Sequence, residues 1–120
     1  MARILVVDDH ADSRYLLAAT FSGRGHEVLE AGNGHEGLRL AREQRPAVVV
    51  SDVLMPVMDG FEFCGRMREV PDLCRIPFVF YSANYTLAHE RRFAFSIGAD
   101  RYFEKPTEPL RLLEAVEGLG

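Results

Sequence analysis

The chain has 120 residues, 48% of them apolar, with 14 basic and 18 acidic side chains and a formal net charge of −4. This is the material of one globular domain with a single core, and the scattered basic residues make no patch of the sort a nucleic-acid backbone requires. No apolar run reaches membrane-spanning length and no secretory leader opens the sequence, so the reading is a cytoplasmic protein without membrane insertion or direct nucleic-acid binding. Cys64 and Cys74 are the only cysteines. They fit neither a disulfide framework nor a zinc spacing and are read as reduced structural residues.

Short unbroken runs rich in Val, Ile and Phe alternate with segments of helical periodicity, the pattern of a parallel sheet covered on both faces. The first predicted strand is Ile4–Val7. A helix over Asp12–Ser22 comes next, with Leu16, Leu17, Thr20 and Phe21 on one face and Gly23 and Gly25 to end it. Val28–Ala31 is a weaker second strand, and Glu36–Glu43 a helix carrying Leu38 and Ala41 and closed by Pro46. Ala47–Val50 is the third strand and Phe61–Met67 the third helix. Phe78–Tyr81 leads into a helix over Leu87–Ile97 that stops at Gly98, and Phe93 shares a face with Ile97 while Phe95 lies on another. Tyr102 and Phe103 form a short fifth strand before a helix over Pro109–Leu119, with proline near its first turn.

Right-handed crossovers between such pairs predict an α/β three-layer sandwich around a five-stranded parallel sheet. The first, third and fourth runs are the most apolar and belong in the centre, which gives strand order 2-1-3-4-5. No repeat, low-complexity tract or linker interrupts the chain, which reads as one module over residues 1–120.

Each strong strand is followed by a residue that a hydrophobic core would reject: Asp8 and Asp9, then Asp52, Ser82 and Lys105. A lone Asp after a strand is ordinarily a turn or helix N-cap residue, and Asp59-Gly60 or Lys105-Pro106 alone would be ordinary turn chemistry. Their conjunction carries the argument. In an open α/β sheet these ends share one rim, and ligands bind there where strand order reverses. Clustered carboxylates disfavour one another's ionisation unless a cation neutralises them. Carboxylates and carbonyls without His or Cys favour Mg²⁺, with Mn²⁺ as the alternative. A lysine and a hydroxyl at the same rim suit phosphoryl transfer.

The segments ILVVDDHADSR, VVVSDVLMPVMDGFEF, PFVFYSAN and GADRYFEKP together resemble the receiver domains of two-component response regulators, with the CheY-like, flavodoxin-like fold. The resemblance covers nearly the whole chain. It implies Asp52 as phosphoryl acceptor, Asp9 and Asp52 as direct Mg²⁺ ligands, Asp8 on a metal-bound water and the Leu54 backbone carbonyl as a further ligand. It also implies that Ser82, the Ala83 backbone N–H and Lys105 contact the phosphoryl group, with Asp52, Lys105 and Ser82 as the catalytic set. Ser82 and Tyr102 match the hydroxyl–aromatic switch pair, and Pro106 matches a proline whose preceding bond is commonly cis. The implied donors are a sensor histidine kinase, a histidine phosphotransfer domain or a small phosphodonor. The implied readout is an output domain or partner on the face of the fourth helix, fifth strand and fifth helix, with dimerisation on phosphorylation as a further expectation. The module is expected to be excised from a larger signalling protein and to act as a switch, its only chemistry being self-phosphorylation and autodephosphorylation. Leu54 should obstruct the hydrolytic water and Asn84 should hydrogen-bond it.

A haloacid-dehalogenase-type phosphohydrolase would need a second Asp where Leu54 stands. A flavin carrier would need a Gly/Ser/Thr-rich phosphate loop in place of the acidic DDHADS. A pseudo-receiver would lack the Asp, Ser and Lys set present here. The four histidines His10, His26, His35 and His89 are read as surface residues with no metal spacing, Arg91 and Arg92 as a solvated face, and Phe95 as a scattered surface apolar residue.

Overall fold

The computed structural model describes residues 2–83 and 87–119. Strands and helices alternate as β1 (Arg3–Val7), α1 (Ala11–Gly23), β2 (Glu27–Ala31), α2 (Gly34–Gln44), β3 (Val48–Ser51), α3 (Gly60–Glu69), β4 (Phe78–Ser82), α4 (Leu87–Ser96), β5 (Arg101–Glu104) and α5 (Pro109–Leu119). The sheet is parallel throughout, in the order β2-β1-β3-β4-β5. Fold class and strand order are those the apolar runs imply.

The period of two along each central strand sorts its side chains into two cores. Leu5 and Val7, with Val49, Phe78 and Phe80, face Leu38 and Ala41 of α2, Phe63 and Met67 of α3 and Ala94 of α4. Ile4, Val6, Val48, Val50 and Val79 face Leu17 and Phe21 of α1 and Leu112, Leu113 and Val116 of α5. Burying one such side chain contributes about 1.5–3 kcal/mol, so the doubly covered central strands dominate the stability. β2 stays partly exposed from Glu27 to Glu30 and is buried only at Ala31, as suits a weaker edge strand.

Helix ends obey local chemistry. Asn33 caps α2 by accepting the Glu36 N–H, and Asp59 caps α3 by accepting that of Glu62. Each such cap is worth about 1 kcal/mol. Gly25 and Gly98 adopt left-handed backbone where the sequence places helix termination. Leu16 departs from expectation: it is 55% exposed, because the buried stripe of α1 runs through Leu17 and Phe21 alone. Cys64 and Cys74 are free thiols, and burial pushes that of Cys64 up to about 11, consistent with an inert structural role.

Candidate functional site

The parallel register brings the strand ends together. Val7 of β1 lies opposite Ser51 of β3, so the next residues in the chain, Asp8 and Asp52, emerge side by side. The Asp52 N–H donates to the Val7 carbonyl at 2.9 Å, and the Asp8 N–H to that of Ala31 at 3.0 Å. Both side chains are buried. Asp52 Oδ1 accepts the Val53 N–H at 2.7 Å, and Asp8 Oδ1 accepts the His10 N–H at 2.9 Å. Lys105, just past β5 and joined to Pro106 by a cis bond, reaches back across the rim. Its Nζ lies 2.9 Å from Asp8 Oδ2 and 3.3 Å from Asp52 Oδ2.

These contacts set the charge states. Burial is the strongest influence on Asp52 and pushes its pKa above the ordinary 3.8; Asp8 pushes the same way, and Lys105 and the Val53 N–H only partly offset them. Burial also opposes ionisation of Asp8. There the hydrogen bonds from Lys105 and His10, the Lys105 charge and Ser13 outweigh it, and the pKa falls below 3.8. Burial of Lys105 disfavours its ammonium, but Asp8 and Asp52 more than compensate and its pKa rises. The site thus holds an ammonium between two carboxylates of unequal character.

Ser82 ends β4 and is buried, and Ala83 after it is exposed. Tyr102 on β5 is only 4% exposed, its ring 6.1 Å from that of Phe80. Burial raises the Tyr102 pKa, with Glu90 and Glu104 acting in the same direction against Arg91 and the Ser82 hydroxyl. Its hydroxyl makes no regular hydrogen bond among the described residues. Leu54, two residues past Asp52, is 65% exposed. The carbonyls of Asp52 and Val53 are engaged by Ser51 Oγ and the Gly60 N–H. Asn84 lies outside the described residues.

Several placements correct or refine the sequence reading. His10 is a surface residue as expected, its side chain 71% exposed, but it joins the acids: ligand atoms of Asp8, Asp9, His10 and Asp52 all lie within 4.8 Å of one another. The His26 side chain is only 9% exposed, bonded to the Ala2 N–H and to Glu117 Oε2, because α5 folds back over it. Arg91 is not merely solvated; its guanidinium lies 5.2 Å from the Tyr102 ring centroid and pairs with Glu104 at 3.3 Å. Its position one turn into α4, opposite an aromatic on the next strand, was the available signal.

The donor set of three carboxylates and one imidazole fits a divalent cation, which would offset the clustered negative charge. A surface concavity lies away from these groups, along α2, lined by His35, Leu38, Arg39, Arg42 and Glu43. The acid site lies at the rim of the sheet, past the ends of β1 and β3.

A family model described as the response regulator receiver domain matches residues 4–117. The chain is 41% identical over 114 residues to an uncharacterized 14.6 kDa protein of Leptolyngbya boryana, covering 95% of this chain and 86% of that one. It is 33% identical to Protein PilH of Pseudomonas aeruginosa, covering 99% and 98%. Against a probable transcriptional regulator, ycf27 of Porphyra purpurea, identity is 38% and coverage is 92% of this chain but 44% of the relative. The fold superimposes on the chemotaxis protein CheY4 of Vibrio cholerae with a TM-score of 0.92 at 32% identity, covering 100% of this chain and 99% of that one.

Proposed function

The chain belongs to the response regulator receiver domain family, and from that premise we propose that Asp52 accepts a phosphoryl group in a cation-dependent transfer that switches a partner or output surface. The observation carrying this reading is the buried Asp52 carboxylate held beside Asp8 and Lys105, with ligand atoms of four residues within 4.8 Å. An Asp52 carboxylate oxygen attacks phosphorus, and the bond from phosphorus to the donor's imidazole nitrogen or acyl oxygen breaks with its electron pair leaving on the donor. Lys105 and the Ser82 hydroxyl, with the Ala83 N–H, bind the non-bridging oxygens. Mg²⁺ is the proposed ion: Asp9, Asp52 and the Leu54 carbonyl would hold it, with Asp8 on a bound water, and it would offset the negative charge of the acids and of the phosphoryl group. The domain acts as a switch without turnover, in the cytoplasm, receiving phosphate from a histidine kinase, a histidine phosphotransfer domain or a small acyl phosphate. Incubation with acetyl phosphate should add one phosphoryl group per chain with Mg²⁺ present and almost none with a chelator; chelator-insensitive labelling would refute the cation requirement.

Phosphorylation is read out, in this proposal, through Ser82 and Tyr102 to the face of α4, β5 and α5, where a partner, an output domain or a second copy would dock. Ring contacts at 5.0 Å and 5.3 Å run from Phe93 of α4 through Phe61 to Phe80, which neighbours Tyr102. Such a packed chain can carry coupling if it has two arrangements. Arg91 holds Tyr102 in the present one. Arg91→Ala is therefore expected to cost about 0.5–1 kcal/mol of stability and to broaden the Tyr102 ring resonances. Sharp, unshifted resonances would make Arg91 a bystander.

Leu54 bears on how long the signal lasts. Hydrolysis of the acyl phosphate needs a water placed in line with the Asp52–phosphorus bond, and an apolar side chain two residues past Asp52 offers that water neither donor nor acceptor. Leu54→Asn is expected to shorten the phosphoryl lifetime several-fold at fixed Mg²⁺ and pH. An unchanged or longer lifetime would show that Leu54 does not govern water access.

A further inference from the structure

We propose that the His10 imidazole is a nitrogen ligand of the divalent-cation site, so that this site favours Mn²⁺ over Mg²⁺ more strongly than its carboxylates alone would. The inference rests on the proposed cation binding and concerns what the chain adds to it.

His10 is the N-cap residue of α1, in extended backbone at φ −85° and ψ 109°. That position ordinarily takes Ser, Thr, Asp or Asn, whose side-chain oxygen accepts a free N–H of the first turn. The His10 side chain makes no such bond. It turns instead toward the acid site, where its Nδ1 lies 3.3 Å from Asp9 Oδ1 and 3.4 Å from Asp8 Oδ1. Those separations are longer than the roughly 2.7–3.2 Å of a good N–H···O bond. They are close to the spacing of neighbouring ligands around a shared ion, since atoms each about 2.1 Å from a metal and at right angles are roughly 3 Å apart.

The nearby ammonium does not compete for the same lone pairs. Lys105 contacts the Oδ2 atoms of Asp8 and Asp52, whereas His10 faces the Oδ1 atoms of Asp8 and Asp9. The carboxylate of Asp8 therefore lies between the fixed ammonium and the imidazole. Asp8 and Asp52 are buried, while the side chains of Asp9 and His10 are 32% and 71% exposed, so an ion can enter from the imidazole side.

Imidazole is a borderline donor that adds little for hard Mg²⁺, which prefers oxygen and retains its waters. Nitrogen ligation is more favourable for transition ions, and affinity rises from Mn²⁺ through Co²⁺ to Ni²⁺. One nitrogen beside the directly bound carboxylates of Asp9 and Asp52 therefore moves selectivity without removing the capacity for Mg²⁺.

The test compares the full chain with His10→Ser, which removes the imidazole and supplies a better helix cap, and with Asp9→Asn. Calorimetric titration with Mg²⁺ and with Mn²⁺ gives the affinity ratio, and pulsed EPR of the Mn²⁺ complex reports directly on nitrogen coordination. Loss of even an outer-shell partner changes metal affinity by roughly 10–100-fold, so His10→Ser should lower Mn²⁺ affinity at least about tenfold and Mg²⁺ affinity by less, and the Mn²⁺:Mg²⁺ ratio should fall. The native chain should show an imidazole nitrogen coupling that changes on ¹⁵N-histidine labelling, a readout that needs no variant to fold. No nitrogen coupling, or an unchanged ratio, overturns the proposal; if Asp9→Asn still weakens both ions, the cation site stands without His10. Failure of the native chain to bind either ion, or indifference of both to Asp9→Asn, overturns the cation site and the proposal together.

Discussion

Asp52→Asn is expected to abolish phosphoryl labelling and, at neutral pH, to raise the melting temperature of the domain. Labelling is lost because an amide is no nucleophile toward phosphorus, and no other described carboxylate is both buried and within 3.3 Å of Lys105 Nζ except Asp8, whose pKa lies on the other side of the ordinary value. The gain in stability comes from linkage. Burial and the neighbouring Asp8 raise the folded-state pKa of Asp52 above 3.8, so the folded chain binds that proton more tightly than the unfolded one. Its contribution is fully present below about 3.8 and is lost as pH rises through the raised value, leaving a cost at neutrality that the uncharged amide removes. Asp8 has the opposite sign: its depressed pKa gives stability present above 3.8 that disappears as pH falls through the folded value. The difference in melting temperature between Asp52→Asn and the native chain should therefore be full at pH 7 and shrink toward pH 4. Undiminished labelling of the variant would remove Asp52 from the acceptor role, and a lower melting temperature at pH 7 would show that the Lys105 pairing outweighs burial.

Backbone periodicity made much of this site legible in the sequence. A parallel sheet collects the carboxyl ends of its strands on one rim, so Asp8, Asp52, Ser82 and Lys105 could be placed together from the apolar runs alone, and Lys105 does reach Asp8 across 97 positions of sequence. The illegible contacts depend on side-chain direction. Leu16 and Leu17 are equally apolar, yet the orientation of α1 exposes the first and buries the second. Arg68 lies in the last turn of α3. It donates to the carbonyls of Gly98, Cys74 and Ile76, tying the end of α3 to the segments around β4 and β5, a network that no local pattern encodes. His10 belongs to the same class, since the backbone fixes its position and only the rotamer points Nδ1 at the acids.

Gly60→Ala should destabilise the domain by about 3 kcal/mol or more and take phosphoryl acceptance with it. Asp59-Gly60 reads in the sequence as ordinary turn chemistry, and backbone strain is not the reason for the glycine, because Gly60 is not among the residues of positive φ. The reason is proximity. A Cβ on residue 60 would lie 2.1 Å from the Asp52 carbonyl oxygen and 3.0 Å from both the Val53 Cα and a Phe80 ring carbon. The first two are backbone atoms at the acceptor itself, held by the Gly60 N–H donating to the Val53 carbonyl at 2.7 Å and by Ser51 Oγ donating to the Asp52 carbonyl at 2.8 Å. Relief therefore requires α3 to move off the end of β3, or the loop after β3 to move with Asp52. Either displaces the acceptor from Lys105, and misplacement of about 1 Å can cost about a hundredfold in rate. Gly65 gives the control: it lies in the same helix with nothing within 4 Å of its added Cβ. Gly65→Ala should stabilise the domain by roughly 0.5–1 kcal/mol through helix propensity. Urea unfolding of both variants with acetyl-phosphate labelling of each separates the effects. If Gly60→Ala unfolded at the native midpoint and labelled normally, the close approach of α3 to Asp52 would not be what positions the acceptor.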